Sequence, residues 1–192
     1  TSGTSPMSGK GFRFLKEGYT DPKPLIKVQG KPIIEHVIDI FPGVEDVLFI
    51  CREEHLSETN MRETLNKILP NCKIISLPDE KLLGPVDTVS RVFDHIKDDK
   101  EIIVSYCDYG TVWDFEQFLK ENRQKKLDGS IVTYTGFHPH MLGTDNYAFV
   151  KKQNEFVEKI QEKKPFTDDR MSEEASNGTY YFNNGKIVKK YF

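Results

Sequence analysis

Apolar residues along the chain fall into two alternating spacings. Val47-Leu48-Phe49-Ile50-Cys51 is a short unbroken run of strand formers, and Glu101 leads into a second, Ile102-Ile103-Val104-Ser105-Tyr106. Such runs predict parallel strands buried on both faces. Lys73 to Leu77 predicts another strand. Between the runs the spacing changes to that of helices. Ile34, Val37, Ile38 and Phe41 share one stripe, with Pro32 ahead of them and Pro42-Gly43 behind, which predicts a helix over 31–41. Asn60, with Glu63 three positions on, predicts the capped start of a second helix that carries Leu65, Ile68 and Leu69. Val89, Val92, Phe93 and Ile96 predict a third, opened by Leu83-Gly84-Pro85-Val86-Asp87-Thr88. Strand and helix in alternation imply an α/β fold, its mostly parallel sheet covered on both faces. Beyond residue 128 the rhythm changes. Segments 130–135, 147–151, 156–160 and 179–182 are strand-like with no long helix between them, which predicts a small β-rich appendage.

A chain of 192 residues holds one domain with a substantial core, so 1–192 is read as a single domain. No repeat or linker divides it. Pro, Gly and charged residues gather in two loops, 136–146 and 163–177, where an α/β sheet places ligand-facing connections. Neither end looks finished. Thr1 to Ser5 lacks an apolar strand, and Lys189-Lys190-Tyr191-Phe192 stops without capping chemistry, so the domain is expected to be incomplete at one or both ends.

Composition then removes several function classes. With 37% hydrophobic and 30% charged residues the chain is that of a soluble globular protein, and no apolar run reaches membrane-spanning length. A net charge of −3 argues against a general nucleic-acid binder. No signal peptide is visible. Cys51, Cys72 and Cys107 are odd in number and lack metal-ligand spacing, which points to reduced thiols and a cytoplasmic location.

Candidate chemistry concentrates in residues 8–26. Gly9 and Gly11 bracket a turn whose backbone N–H groups can close around an anion. Arg13 can grip phosphate oxygens in a bidentate fork, and Lys23 adds a point charge on a segment stiffened and extended by Pro22 and Pro24. Ser8 precedes the turn. A dinucleotide fingerprint would need glycine where Phe14 stands, and a P-loop would need a wider spacing ending in Gly-Lys-Ser/Thr, so neither applies. A lone Gly-x-Gly is most often a flexible surface turn. Here the whole string Gly9-x-Gly11-x-Arg13-Phe14, then Pro22-Lys23-Pro24-Leu25-Ile26-x-Val28-x-Gly30-Lys31-Pro32-Ile33-Ile34, resembles the signature of the sugar-phosphate nucleotidyltransferases, also called nucleoside-diphosphate-sugar pyrophosphorylases.

The resemblance implies a Rossmann-like, mixed, mostly parallel sheet of the nucleotide-diphospho-sugar transferase fold. It also implies a magnesium-dependent enzyme that joins a nucleoside triphosphate to a sugar 1-phosphate, of the kind that supplies surface polysaccharide synthesis. In that family Pro-Met-Ser-Gly, matching Pro6 to Gly9, follows a hydrophobic first strand, and Thr1 to Ser5 departs from this. Asp108 lies two residues beyond a buried strand, where ligands of open α/β sheets gather, and the resemblance makes it the Mg2+ ligand. A loop aspartate capping a turn is the bland alternative. The family completes this site with a second aspartate on a later strand, for which the sequence offers no candidate after Phe182. Asp114 reads as a helix cap. Gly84 lies in a turn that, by resemblance, contacts the nucleobase, although the family more often has small apolar residues where Asp87 and Thr88 stand. Glu162-Lys163-Lys164-Pro165 resembles an element whose lysine contacts the sugar phosphate, with one residue inserted; Lys163 is the favoured candidate, and a solvated loop is the alternative. Asn177 and Gly178 resemble a turn that binds sugar hydroxyls. His138-Pro139-His140 lacks a third ligand at zinc spacing, and His36, His55 and His95 read as structural.

Two rivals stay open: a glycosyltransferase of related fold, and a non-catalytic nucleotide- or sugar-binding domain. The expected partners are a nucleoside triphosphate and a sugar phosphate, with no nucleic acid and no membrane, and a homo-oligomer is left open.

Overall fold

The computed structural model describes residues 1–9, 18–78, 82–138 and 147–192. Along them the elements run β1 (Ser2–Met7), β2 (Lys27–Val28), β3 (Lys31–Pro32), α1 (Ile33–Asp39), β4 (Asp46–Arg52), α2 (Glu53–Glu58), α3 (Met61–Ile68), β5 (Lys73–Leu77), α4 (Pro85–Ser90), β6 (Ile102–Ser105), α5 (Phe115–Lys125), β7 (Gly129–Tyr134), β8 (Ala148–Gln153), β9 (Phe156–Glu162), β10 (Glu174–Phe182) and α6 (Gly185–Tyr191). They form two compact units, Thr1–Ser130 with Tyr180–Phe192, and Ile131–Thr179. Strands β7 and β10 each begin in one unit and end in the other.

In the first unit the strand order β5-β4-β1-β6 is parallel throughout. β4 shows why the sheet needs helices on both faces. Its Val47, Phe49 and Cys51 join Met7 and Ile103 in one core, beneath Ile34 and Val37 of α1, Met61 and Leu65 of α3, and Phe115 and Leu119 of α5. The alternate residues Leu48 and Ile50 join Ile102 and Val104 in a second core, covered by Val89 of α4, Val92, Ile96 and Val188 of α6. Period-two alternation in one strand therefore feeds two apolar layers. Gly185, at the start of α6, sits so close to the segment ahead of β6 that a Cβ would lie 2.3 Å from the Lys97 carbonyl oxygen.

Several expectations need correction. Ser2–Met7, despite its polar letters, is the central strand β1, in register with β4 from Ser2↔Asp46 to Met7↔Cys51; its flanking apolar strands supply the burial that its own side chains do not. The first helix is shorter than 31–41, because Lys31–Pro32 pairs with Lys27–Val28 across Gln29 and Gly30, both at positive φ (51° and 83°). Asn60 stands at the start of α3 and its carbonyl accepts from Thr64 N–H at 2.9 Å, but its side chain does not cap the helix; Thr59 Oγ1 accepts the Met61 N–H instead, at 3.2 Å. Helix α2 was not foreseen. The third helix is broken into α4 and a 3₁₀ turn, Phe93–His95. Helix α6 was not foreseen either; Asn184 Oδ1 accepts from Ile187 N–H at 3.1 Å and caps its start.

The second unit is the β-rich appendage. β8 and β9 form an antiparallel hairpin, and Glu174 and Ala175 of β10 pair with Val150 and Phe149 of β8. β10 begins earlier than expected and runs through the segment read as a turn at Asn177-Gly178. Phe149 and Ala175 form a small core with Tyr134, Tyr147 and Phe166. No helix among the described residues is long and apolar enough to cross a membrane.

Candidate functional site

Parallel strands deliver their carboxyl ends to one edge of a sheet, and three of the candidate residues follow directly from those ends. Met7 of β1 is level with Cys51, so Ser8 and Gly9 emerge beside Arg52, the last residue of β4. Thr4 is level with Val104 of β6, so the chain leaves β6 toward Asp108 at the same edge of the sheet. Arg52 is buried, and its Nε–H donates to the Ser8 carbonyl at 2.6 Å. The Ser8 hydroxyl lies 2.7 Å from that of Thr88, a fully buried residue of α4. Among the described residues, nothing lies within 4 Å of where a Gly9 Cβ would be.

Lys23 reaches the same edge from a different element. Pro22 and Pro24 set a 3₁₀ turn over Lys23–Leu25 rather than the extended segment expected, with Leu25 N–H on the Pro22 carbonyl at 2.8 Å. Burial of Pro24 and Leu25 anchors the turn and leaves the lysine pointing outward. Its ammonium pairs with the Asp108 carboxylate. Roughly a quarter of each side chain faces solvent (25% and 30%).

Gly84 precedes α4 at φ 141°, a conformation that a residue with a Cβ adopts only under strain. Its carbonyl accepts from the Thr88 hydroxyl at 2.9 Å. Asp87 accepts from the Leu83 N–H at 3.1 Å and pairs with Arg91 at 3.3 Å, and these two partners, the N–H foremost, hold its carboxyl below the usual range. Ser8, Lys23, Gly84 and Asp108 all lie in the first unit: Ser8 and Gly84 are joined through Thr88, Ser8 is held by Arg52, and Lys23 pairs with Asp108. Of the two linking residues, Thr88 stood out in the sequence only as a departure from the family's small apolar pattern, and Arg52 not at all. Arg13 and Gly11 lie outside the described residues.

Lys163, Asn177 and Gly178 lie in the second unit. Lys163 has φ 56°, donates its N–H to the Tyr147 carbonyl at 2.7 Å and places its ammonium 3.6 Å from Glu162. The Asn177 side chain accepts from Thr179 N–H at 2.9 Å, and Gly178, at φ 90°, donates to Ser176 Oγ at 3.1 Å, so the pair makes a kink within β10.

The remaining candidates are structural. Asp114 Oδ1 caps α5 through Gln117 N–H at 2.8 Å. His138 packs against Tyr134 and Tyr147, and His140 lies outside the described residues. The three cysteines are free thiols. Burial pushes Cys51 up to about 12 and Cys107 higher still, which keeps both protonated and unreactive.

Residues 7–191 match the model of the family described as nucleotidyl transferase. The chain belongs to that family. It is 26% identical over 186 residues to the bifunctional protein GlmU of Bacillus subtilis, covering 95% of this chain and 38% of that protein. It is 24% identical over 123 residues to the glucose-1-phosphate cytidylyltransferase of Salmonella typhimurium, covering 52% and 47% respectively. The chain spans about two fifths of the length of the curated relatives that it matches along nearly its whole length. Among solved structures, the nucleoside-diphosphate-sugar pyrophosphorylase of Vibrio cholerae superposes with a TM-score of 0.71 at 24% identity, covering 98% of this chain and 75% of that one. That likeness establishes the nucleotidyl transferase fold.

Proposed function

We propose that the protein joins a nucleoside triphosphate and a sugar 1-phosphate to give a nucleoside-diphosphate sugar and pyrophosphate. The observation that carries this reading is the Lys23–Asp108 pair at the carboxyl edge of the parallel sheet, the edge from which Gly9 also leaves β1. A phosphate oxygen of the sugar phosphate attacks the α-phosphorus in line, a new P–O bond forms, and the α–β anhydride bond breaks to release pyrophosphate. The chain itself need not become covalently attached, so its task is to position two polyanions and offset their charge.

Each candidate then has a role. The backbone at Ser8, Gly9 and Gly11 receives the triphosphate, Arg13 steadies the leaving pyrophosphate, and Lys23 holds reacting phosphate oxygens. The turn at Gly84 faces the base. Lys163, Asn177 and Gly178 meet the sugar phosphate. Asp108 offers a hard carboxylate oxygen, and no cluster of three or more metal-ligating side chains occurs among the described residues. That donor would fit a divalent cation such as Mg2+ brought in with the triphosphate, with Asp108 as the residue that would hold it. When bound, the cation neutralises phosphate charge. Free thiols at Cys51, Cys72 and Cys107 fit a reducing, cytoplasmic compartment.

The test is to incubate the protein with each nucleoside triphosphate and a panel of sugar 1-phosphates in Mg2+ while following pyrophosphate. Release should require both substrates, and Asp108→Asn and Lys23→Met should each lower it by about 100-fold or more. Triphosphate binding without release in any combination would favour the binding-domain reading. Transfer of sugar from a preformed nucleotide sugar would favour a glycosyltransferase.

A further inference from the structure

The hydroxyls of Ser8 and Thr88 connect two parts of the first unit that are far apart in sequence. Thr88 Oγ1 lies 2.9 Å from the Gly84 carbonyl and 2.7 Å from Ser8 Oγ. A carbonyl only accepts, so the single Thr88 hydroxyl proton points to Gly84, and the proton between the two hydroxyls must come from Ser8. Ser8 therefore has no proton left for a phosphate oxygen. Its side chain is a tie, and its contribution to an anion is its backbone, which Arg52 holds from the other side at 2.6 Å. The turn that receives this chain of bonds is closed in turn by Asp87 on Leu83 N–H and Arg91.

We infer that Thr88 is a positioning residue that ties the turn at Gly84 to Ser8 at the end of β1, and so holds the backbone at Ser8 at a fixed distance from that turn. The inference rests on the nucleotidyl-transfer reading, in which the turn faces the base and the backbone from Ser8 faces the triphosphate. Thr88 touches neither ligand. It keeps the distance between their seats, and with it the setting of the α-phosphorus relative to a bound base.

Thr88→Val preserves shape and removes both bonds. Binding is measured by calorimetry for the preferred nucleoside triphosphate and for inorganic tripolyphosphate, which engages the triphosphate seat alone. In Thr88→Val the nucleoside triphosphate should bind about tenfold more weakly, the loss of two buried hydrogen bonds. Tripolyphosphate should bind as before or more tightly, because the Ser8 hydroxyl is released to donate. Thr88→Ser, which keeps the hydroxyl, should restore the parent values. Equal weakening of both ligands, together with a lowered melting temperature, would mean ordinary damage to the fold and would overturn the inference. So would unchanged binding of both. Should the parent protein bind no nucleoside triphosphate, the nucleotidyl-transfer reading itself fails, and the inference with it.

Discussion

A lysine that neutralises the one carboxylate proposed to hold a cation sets up a competition at the scale of single residues. With each partner partly exposed, the Lys23–Asp108 pair is worth at most about 1 kcal/mol, so an arriving polyphosphate can draw Lys23 away and leave the carboxylate to the cation. In the absence of nucleotide, Mn2+ followed by electron paramagnetic resonance should therefore bind the parent weakly, Lys23→Met more tightly by several-fold, and Asp108→Asn not at all. Equal Mn2+ affinity in the parent and Lys23→Met would show that the pair does not compete. Both residues were singled out from the sequence, Asp108 because it follows a buried apolar run and Lys23 because Pro22 and Pro24 flank it. Their contact could not. Thr88 was noted only as a departure from the family's small apolar pattern and Arg52 gave no signal, because nothing in their spacing from Ser8 indicates that the fold brings all three together.

At the scale of elements, the fold was legible wherever the chain's own side chains supply the burial. β4, β5 and β6 announce themselves by apolar runs, and helices α1 and α3 by their stripes. β1 does not, since Ser2-Gly3-Thr4-Ser5 carries no apolar side chain and takes its central place only through backbone pairing with β4 and β6. The consequence is visible in the packing. A cavity of about 40 Å³ lies beneath the strand, lined by Gly3, Ser5, Val37, Phe41, Phe49 and Ser105 among others. The Ser5 hydroxyl that faces it is buried with no hydrogen-bond partner among the described residues. Ser5→Val removes an unsatisfied polar group and fills part of the space, for a gain of about 1–2 kcal/mol. The melting temperature should rise by about 2–6 °C. A fall instead would mean that the neighbouring side chains cannot make room. The broken third helix is the opposite case, where stripe residues Val89, Val92 and Ile96 all reach the core although the backbone between them is not one helix.

At the scale of the whole molecule, the change of rhythm after residue 128 foretold the β-rich character of the second unit; β7 was read nearly whole, while of β10 only 179–182 was read. The first unit is closed by one carboxylate that gathers distant segments. Glu101, just ahead of β6, accepts from Arg123 Nε of α5 and Tyr181 of β10, at 2.8 and 2.9 Å, and from Thr1 ahead of β1 at 2.9 Å. The Arg123 guanidinium above all, then the two hydroxyls, hold its carboxyl at about 2, against an ordinary value near 4.5. A folded-state value depressed in this way means that the unfolded chain binds the proton more readily. The stabilisation is therefore complete above about pH 4.5 and is lost as the pH falls toward 2. Allowing for solvent screening of the partly exposed Arg123, it is worth about 1–2 kcal/mol. Melting temperatures of the parent should drop through that window. Glu101→Gln, which keeps the shape but not the charge, should melt lower than the parent at pH 7 and lose less on acidification, so that the two curves converge near pH 2. Parallel curves across the whole range would show that Glu101 is not the group whose protonation loosens the sheet.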